Sequence, residues 1–124
     1  MVQYNLADLH THSFCSDGLR TPTEAVEEAA AAGVRALSLT DHDTVEGVEE
    51  AADAGRDLGV ELVPGTELSV HVNDRELHLL AYFLDYRNDR LGTYVNLLHQ
   101  RRHDRGAAIV QRLNQLGVEV TLED

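Results

Sequence analysis

Tyr4-Asn5-Leu6-Ala7-Asp8-Leu9-His10-Thr11-His12 is the stretch from which the rest of the chain can be read. As a strand, it sets alternate residues on opposite faces. Asp8, His10 and His12 then point one way, and Leu9 and Thr11 the other. Two imidazoles and a carboxylate on one strand edge suit a divalent metal, with the Asp placed to orient a ligating His. Three such groups would be costly to bury unpaired, so an accidental polar face is the weaker reading.

Outward from this strand, helical and apolar extended segments alternate. Ser16-Asp17-Gly18 reads as a turn, and Thr21-Pro22-Thr23-Glu24 as a helix start with a Thr cap, Pro at the first helical position and Glu three residues on. That helix runs through an Ala-rich stretch to Gly33. Val34 to Thr40 is a second strand. Asp43 or Thr44 is a candidate cap for a helix ending near Leu58 and Gly59, and Val60 to Val63 begins a third strand. Strands separated by helices predict an α/β fold with a parallel sheet. Leu68 to Val72 and Glu76 to Leu84 flank the turn pair Asn73-Asp74 and predict a hairpin. From Asp89 to Leu116 an apolar stripe of Leu91, Tyr94, Val95, Leu98, Ile109, Leu113 and Leu116 predicts a long helix, with Gly106 a candidate interruption and Gly117 its close. Val118 to Leu122 reads as the start of another strand.

The bulk numbers set bounds on function. The chain has 124 residues, 43% hydrophobic and 26% charged, which fits one domain or part of one. The net charge of −12 argues against general binding to duplex nucleic acid. It arises wholly within residues 1–84, since residues 85–124 are balanced. All ten basic residues are Arg. No apolar run approaches the roughly 20 residues of a membrane span, and Met1 to Asp8 lacks a signal peptide's features, so no membrane association is expected. Cys15 is the single cysteine; a packed thiol is expected there, and a reducing cytoplasm is compatible with it.

Further polar groups recur at the carboxyl ends of the predicted strands: Asp17 in the turn, Asp41-His42-Asp43 after the second strand, and Glu67 after Pro64-Gly65-Thr66. His78 lies within the hairpin. Asp41 is a candidate to orient His42. Active sites of α/β barrels assemble at this end of the strands. A His, Asp and Glu set suits zinc, manganese or iron better than calcium or magnesium. Such a centre fits hydrolysis of a phosphate ester, because metals acidify a bound water and offset phosphoryl charge, so an acidic protein can take an anionic substrate.

At Asp8-Leu9-His10-Thr11-His12-Ser13, Ser16-Asp17-Gly18, Thr21-Pro22 with Glu24, Leu39-Thr40-Asp41-His42-Asp43-Thr44, Pro64-Gly65-Thr66-Glu67 and His78, the chain resembles the polymerase and histidinol phosphatase (PHP) family of metal-dependent phosphoesterases. Within it the chain is most similar to members that dephosphorylate nucleoside 3′,5′-bisphosphates or trim short RNA from the 5′ end. The resemblance implies the N-terminal part of a distorted (β/α)7 barrel over residues 1–84 and the start of a helical insertion over 85–124. It implies two to three divalent metals (Mn, Zn or Fe). His10 and His12 would bind one, with Glu67 bridging to another; Asp17 and His42 would hold a second; Glu67 and His78 would hold a third. Asp8 would orient a ligating His, and a metal-activated hydroxide would attack phosphorus.

The family's later ligands, a His and an Asp-x-His pair, have no counterpart after His78, so the chain reads as roughly half a barrel, expected to self-associate or to bind fewer metals. The alternative reading is a non-catalytic metal-binding or scaffolding PHP domain, or an inactive fragment. His71 reads as an ordinary strand residue, and His99 and His103 as part of a solvated helix face. Arg101, Arg102 and Arg105 are candidates to grip a substrate phosphate.

Overall fold

The computed structural model describes residues 6–73 and 75–122. Tyr4, Asn5 and Asp74, which the sequence places in a strand and a turn, lie outside them. The chain runs β1 (Leu6–Thr11), α1 (Pro22–Ala31), β2 (Val34–Leu39), α2 (Val48–Leu58), β3 (Glu61–Leu62), β4 (Gly65–Val72), β5 (Arg75–Tyr82) and α3 (Asp89–Gln115). Strands β1, β2 and β3 form a parallel sheet in that order, and β4 and β5 an antiparallel hairpin. The α/β architecture with helices over a parallel sheet is therefore present.

Local chemistry explains most of the boundaries. Thr21 Oγ1 accepts from the Glu24 N–H at 3.1 Å while Glu24 Oε2 accepts from the Thr21 N–H at 2.9 Å, a reciprocal cap that starts α1 at Pro22. Gly59, at φ 70°, closes α2 in the left-handed region. Val26 of α1, Ala51 of α2, Leu37 and Leu39 of β2, and Val60 form one buried cluster, with Ala29, Ala30, Ala54 and Leu62 packed against it. Each large apolar side chain in it is worth about 1.5–3 kcal/mol of burial. These contacts fix the two helices on one face of the sheet.

Four expectations are corrected. The second helix starts at Val48 with Gly47 before it, not at Asp43 or Thr44. Thr44 Oγ1 is taken by the Glu46 N–H at 3.2 Å, and the Asp43 carboxylate is taken by β4 and α3. The third strand is shorter than Val60 to Val63, because only Glu61 and Leu62 find register partners on β2. Gly106 does not interrupt α3, which is continuous for 27 residues. Val118 to Leu122 is not a strand: the Asn114 side chain accepts from the Val120 N–H and donates to its carbonyl, occupying the groups a ladder would need.

The hairpin also differs in extent, since β4 begins at Gly65 rather than Leu68. A Cβ at Gly65 would lie 2.5 Å from Ser38 Oγ, so only glycine lets the chain cross β2 this closely. On α3 the predicted stripe is mostly uncovered: Val95 is its buried member, while Tyr94, Ile109 and Leu116 are exposed.

Candidate metal centre

The carboxyl end of the parallel sheet carries the polar residues singled out in the sequence. Beyond β2, the chain keeps pairing with β4: the Glu67 N–H donates to the Asp41 carbonyl at 3.2 Å and the Asp43 N–H to the Glu67 carbonyl at 2.9 Å. This short parallel bridge sets His42 beside Glu67. His10 and His12 arrive from β1 and its end, and His78 from β5.

Glu67 is the centre of the arrangement. Its Oε2 accepts from His10 Nε2 at 2.9 Å and lies 3.2 Å from His12 Nε2 and 3.6 Å from His42 Nε2. Its other oxygen, Oε1, lies 3.0 Å from His78 Nδ1. Asp17 approaches the same histidines, with Oδ1 3.4 Å from His12 Nδ1 and Oδ2 3.6 Å from His42 Nε2. The imidazoles form a row, with ring centroids 5.1, 4.9 and 4.8 Å apart from His10 through His12 and His42 to His78. Three overlapping groups result, each with donor atoms within 4.8 Å of one another: His10, His12 and Glu67; His12, Asp17 and His42; and His42, Glu67 and His78.

Burial alone would raise the Glu67 carboxyl. The hydrogen bond from His10 and the adjoining His42, His10 and His12 outweigh it and hold the group below the ordinary carboxylate range. His12 Nδ1 and His42 Nδ1 are buried with no hydrogen-bond partner among the described residues. Buried polar nitrogens left without partners are costly; a cation held with Asp17 would satisfy His12 Nδ1, whereas His42 turns Nε2, not Nδ1, toward the carboxylates. The mixed nitrogen and oxygen donor set fits a divalent transition metal.

Asp8 stands apart from all three groups; it is exposed, and its Oδ1 accepts from the His10 N–H at 3.3 Å. Asp41 does not contact the His42 ring as expected. Its carboxylate instead accepts from the Ser13 N–H at 2.7 Å, Ser13 Oγ at 2.6 Å and Ser16 Oγ at 2.6 Å. Ser13 and Ser16 were not foreseen as parts of the site, since serine next to a turn carries no signal of its own. Asp43, at φ 54°, accepts from the Ser69 N–H at 2.8 Å and is paired with Arg102 of α3. Cys15 is half-buried, and burial pushes its thiol up, away from a nucleophile's range.

Parallel strands beneath two helices, with a cluster of His, Asp and Glu side chains that could hold metal at the strand ends, define the class of α/β metal-site domains. The chain belongs to the PHP domain family, whose pattern matches residues 8–118. It is 36% identical over 111 residues to a 5′-3′ exoribonuclease of Haemophilus influenzae, covering 90% of this chain and 40% of that protein. It is 34% identical over 111 residues to a 3′,5′-nucleoside bisphosphate phosphatase of Chromobacterium violaceum, covering 90% of this chain and 39% of that one. Among solved structures, an amidohydrolase from Chromobacterium violaceum with bound sulfate and no metal superposes with a TM-score of 0.85 at 32% identity, over 94% of this chain and 41% of that chain. The chain thus falls in a family of enzymes and spans about two-fifths of the length of the curated relatives it matches. No helix among the described residues is long and apolar enough to cross a membrane.

Proposed function

We propose that His10, His12, Asp17, His42, Glu67 and His78 hold two to three divalent metal ions (manganese, zinc or iron), and that the protein is a cytoplasmic phosphoesterase acting on a nucleoside 3′,5′-bisphosphate or the 5′ end of a short RNA. The observation that carries the reading is Glu67, whose two carboxylate oxygens are shared by four imidazoles. A carboxylate placed this way would serve more than one cation rather than stand as half of one ion pair. When bound, the metals would acidify a water and offset charge on a phosphoryl group.

The chain's own residues supply the remainder. Asp17 and Glu67 both bring negative charge to the histidine row and approach the same His42 Nε2, so the site is set to concentrate cations. Asp8 holds the His10 backbone. A cavity of about 440 Å³ is lined by Asp43, Ser69, Glu76, Arg101, Arg102 and Arg105 among others, none of them one of the six donors. Two of its lining residues neighbour donors, since Asp43 follows His42 and Ser69 stands opposite His78 in the hairpin register. Arg102 is engaged by Asp43, whereas Arg101 and Arg105 have no carboxylate partner among the described residues. Two such guanidinium groups suit a second phosphate, the feature that separates a bisphosphate from a simple monoester.

The test is release of phosphate from a nucleoside 3′,5′-bisphosphate and from a mononucleotide, and of mononucleotide from a 5′-phosphorylated oligoribonucleotide, by the protein loaded with Mn²⁺. Release is expected, with the doubly phosphorylated substrates favoured. No release from any of the three would overturn the assignment.

A further inference from the structure

The Asp41 carboxylate is among the most deeply buried charges in the chain, at 2% exposure, and it touches none of the six donor side chains. No Arg or His pairs with it among the described residues; it accepts instead from the Ser13 N–H and the hydroxyls of Ser13 and Ser16. Ser13 opens the loop that carries Asp17, and Ser16 directly precedes Asp17 in it. The Asp17 carboxylate itself is largely exposed, at 67%, so its position follows from the loop beneath it. Within that loop the Ser13 carbonyl accepts from the N–H groups of Ser16 and Gly18, and a Cβ at Gly18 would lie 2.3 Å from the His12 carbonyl oxygen. The loop is folded tightly onto the end of β1.

The Asp41 carbonyl faces the other way. It accepts from Thr66 Oγ1 at 2.9 Å and from the Glu67 N–H at 3.2 Å. One residue therefore ties the loop bearing Asp17 to the strand bearing Glu67, and adjoins His42 in the chain. We infer that Asp41 is a positioning residue that acts through the Ser13–Gly18 loop to hold Asp17 at the group formed with His12 and His42. Replacing it would weaken cation binding at that group alone. The inference rests on the metal-site reading above.

The experiment is a titration of the protein with Co²⁺ alone, read by calorimetric stoichiometry and by the visible absorption of the bound ion. Four proteins are compared: wild type, Asp41→Asn, Ser13→Ala, which removes one hydroxyl between Asp41 and the loop, and Val26→Ala, which weakens the core at a distance. Asp41→Asn is expected to weaken one binding step by about 10–100-fold and leave the others in place. Ser13→Ala should move the same step less, and Val26→Ala should lower Tm without moving any step. An Asp41→Asn isotherm matching wild type, or one weakened at every step alike, would overturn the inference. Should Asp41→Asn not fold, Ser13→Ala decides, with an unchanged isotherm counting against it. A wild-type protein that binds no Co²⁺ overturns the metal-site reading itself.

Discussion

Two buried regions lie end to end along the same strands, and they are made of opposite materials. Beneath the helices, Val26, Leu37, Leu39, Ala51 and Val60 form an apolar cluster. At the strand ends, Ser13, Ser38, Thr40, Asp41, Asp43, Thr44, Thr66 and Glu67 are equally buried and all polar. The first region is stable because each methyl group removed from water contributes, and it tolerates shape-conserving change. The second is tolerable only because each group has a partner: Thr11 Oγ1 donates to the Ser38 carbonyl, Thr40 Oγ1 to the Thr11 carbonyl, and Ser38 Oγ to the Val63 carbonyl. Burial has been separated from apolarity where the chain builds a site.

If the two regions are independent, substitutions should move stability or cation binding but not both. Leu39→Ala is expected to have the largest effect, about 2–5 kcal/mol of unfolding free energy from lost burial and the cavity left behind. Denaturant unfolding would read it, with the number of Co²⁺ ions bound unchanged; a lost ion would join the two regions. Glu67→Gln is expected to weaken cation binding by about 100-fold or more, the upper end for groups that orient ligands, because it removes the shared carboxylate itself. Divalent cation should then raise the wild-type Tm and leave that of the variant nearly unmoved.

Arg102→Ala tests the border between the regions. Burial raises the Asp43 carboxyl, but the Ser69 N–H and Arg102 outweigh it and hold it below its ordinary value. The pair therefore stabilises the fold above the usual carboxylate pKa, and this is lost as pH falls through the lowered one. A cost of about 1–2 kcal/mol is expected at neutral pH, less than for a fully buried pair since Arg102 is half-exposed, and the gap from wild type should begin to narrow only as pH falls below about 4. A pH-independent gap would mean that Arg102 acts by packing. The smallest effect is expected from Thr21→Ala, about 1 kcal/mol through loss of the α1 cap, with cation binding unaltered.

What was legible in the sequence follows the range of the interaction. The Thr21-to-Glu24 cap and the alternation of His10 and His12 depend on neighbours a few residues apart, and both are visible in the chain. The gathering of His10, His12, Asp17, His42, Glu67 and His78 was legible only as a set, since Glu67 or His78 alone is an ordinary polar residue. The role of Asp43 was not legible. Its partners Ser69 and Arg102 lie 26 and 59 residues away, and nothing local distinguishes it from a helix cap. Val118 to Leu122 misled for a similar reason: its composition favours a strand, but the Asn114 amide had already engaged its backbone.

The 27-residue α3 makes a span of about 40 Å. With Val95 as its buried residue, the helix has little hydrophobic adhesion to hold its angle, and the Arg102–Asp43 pair works as a pivot partway along it. Arg101 and Arg105 sit one residue before and three residues after that pivot, so a swing of a few degrees leaves both beside Asp43 and is felt instead at the ends of the helix, which lie about 20 Å away and would move by roughly 2 Å.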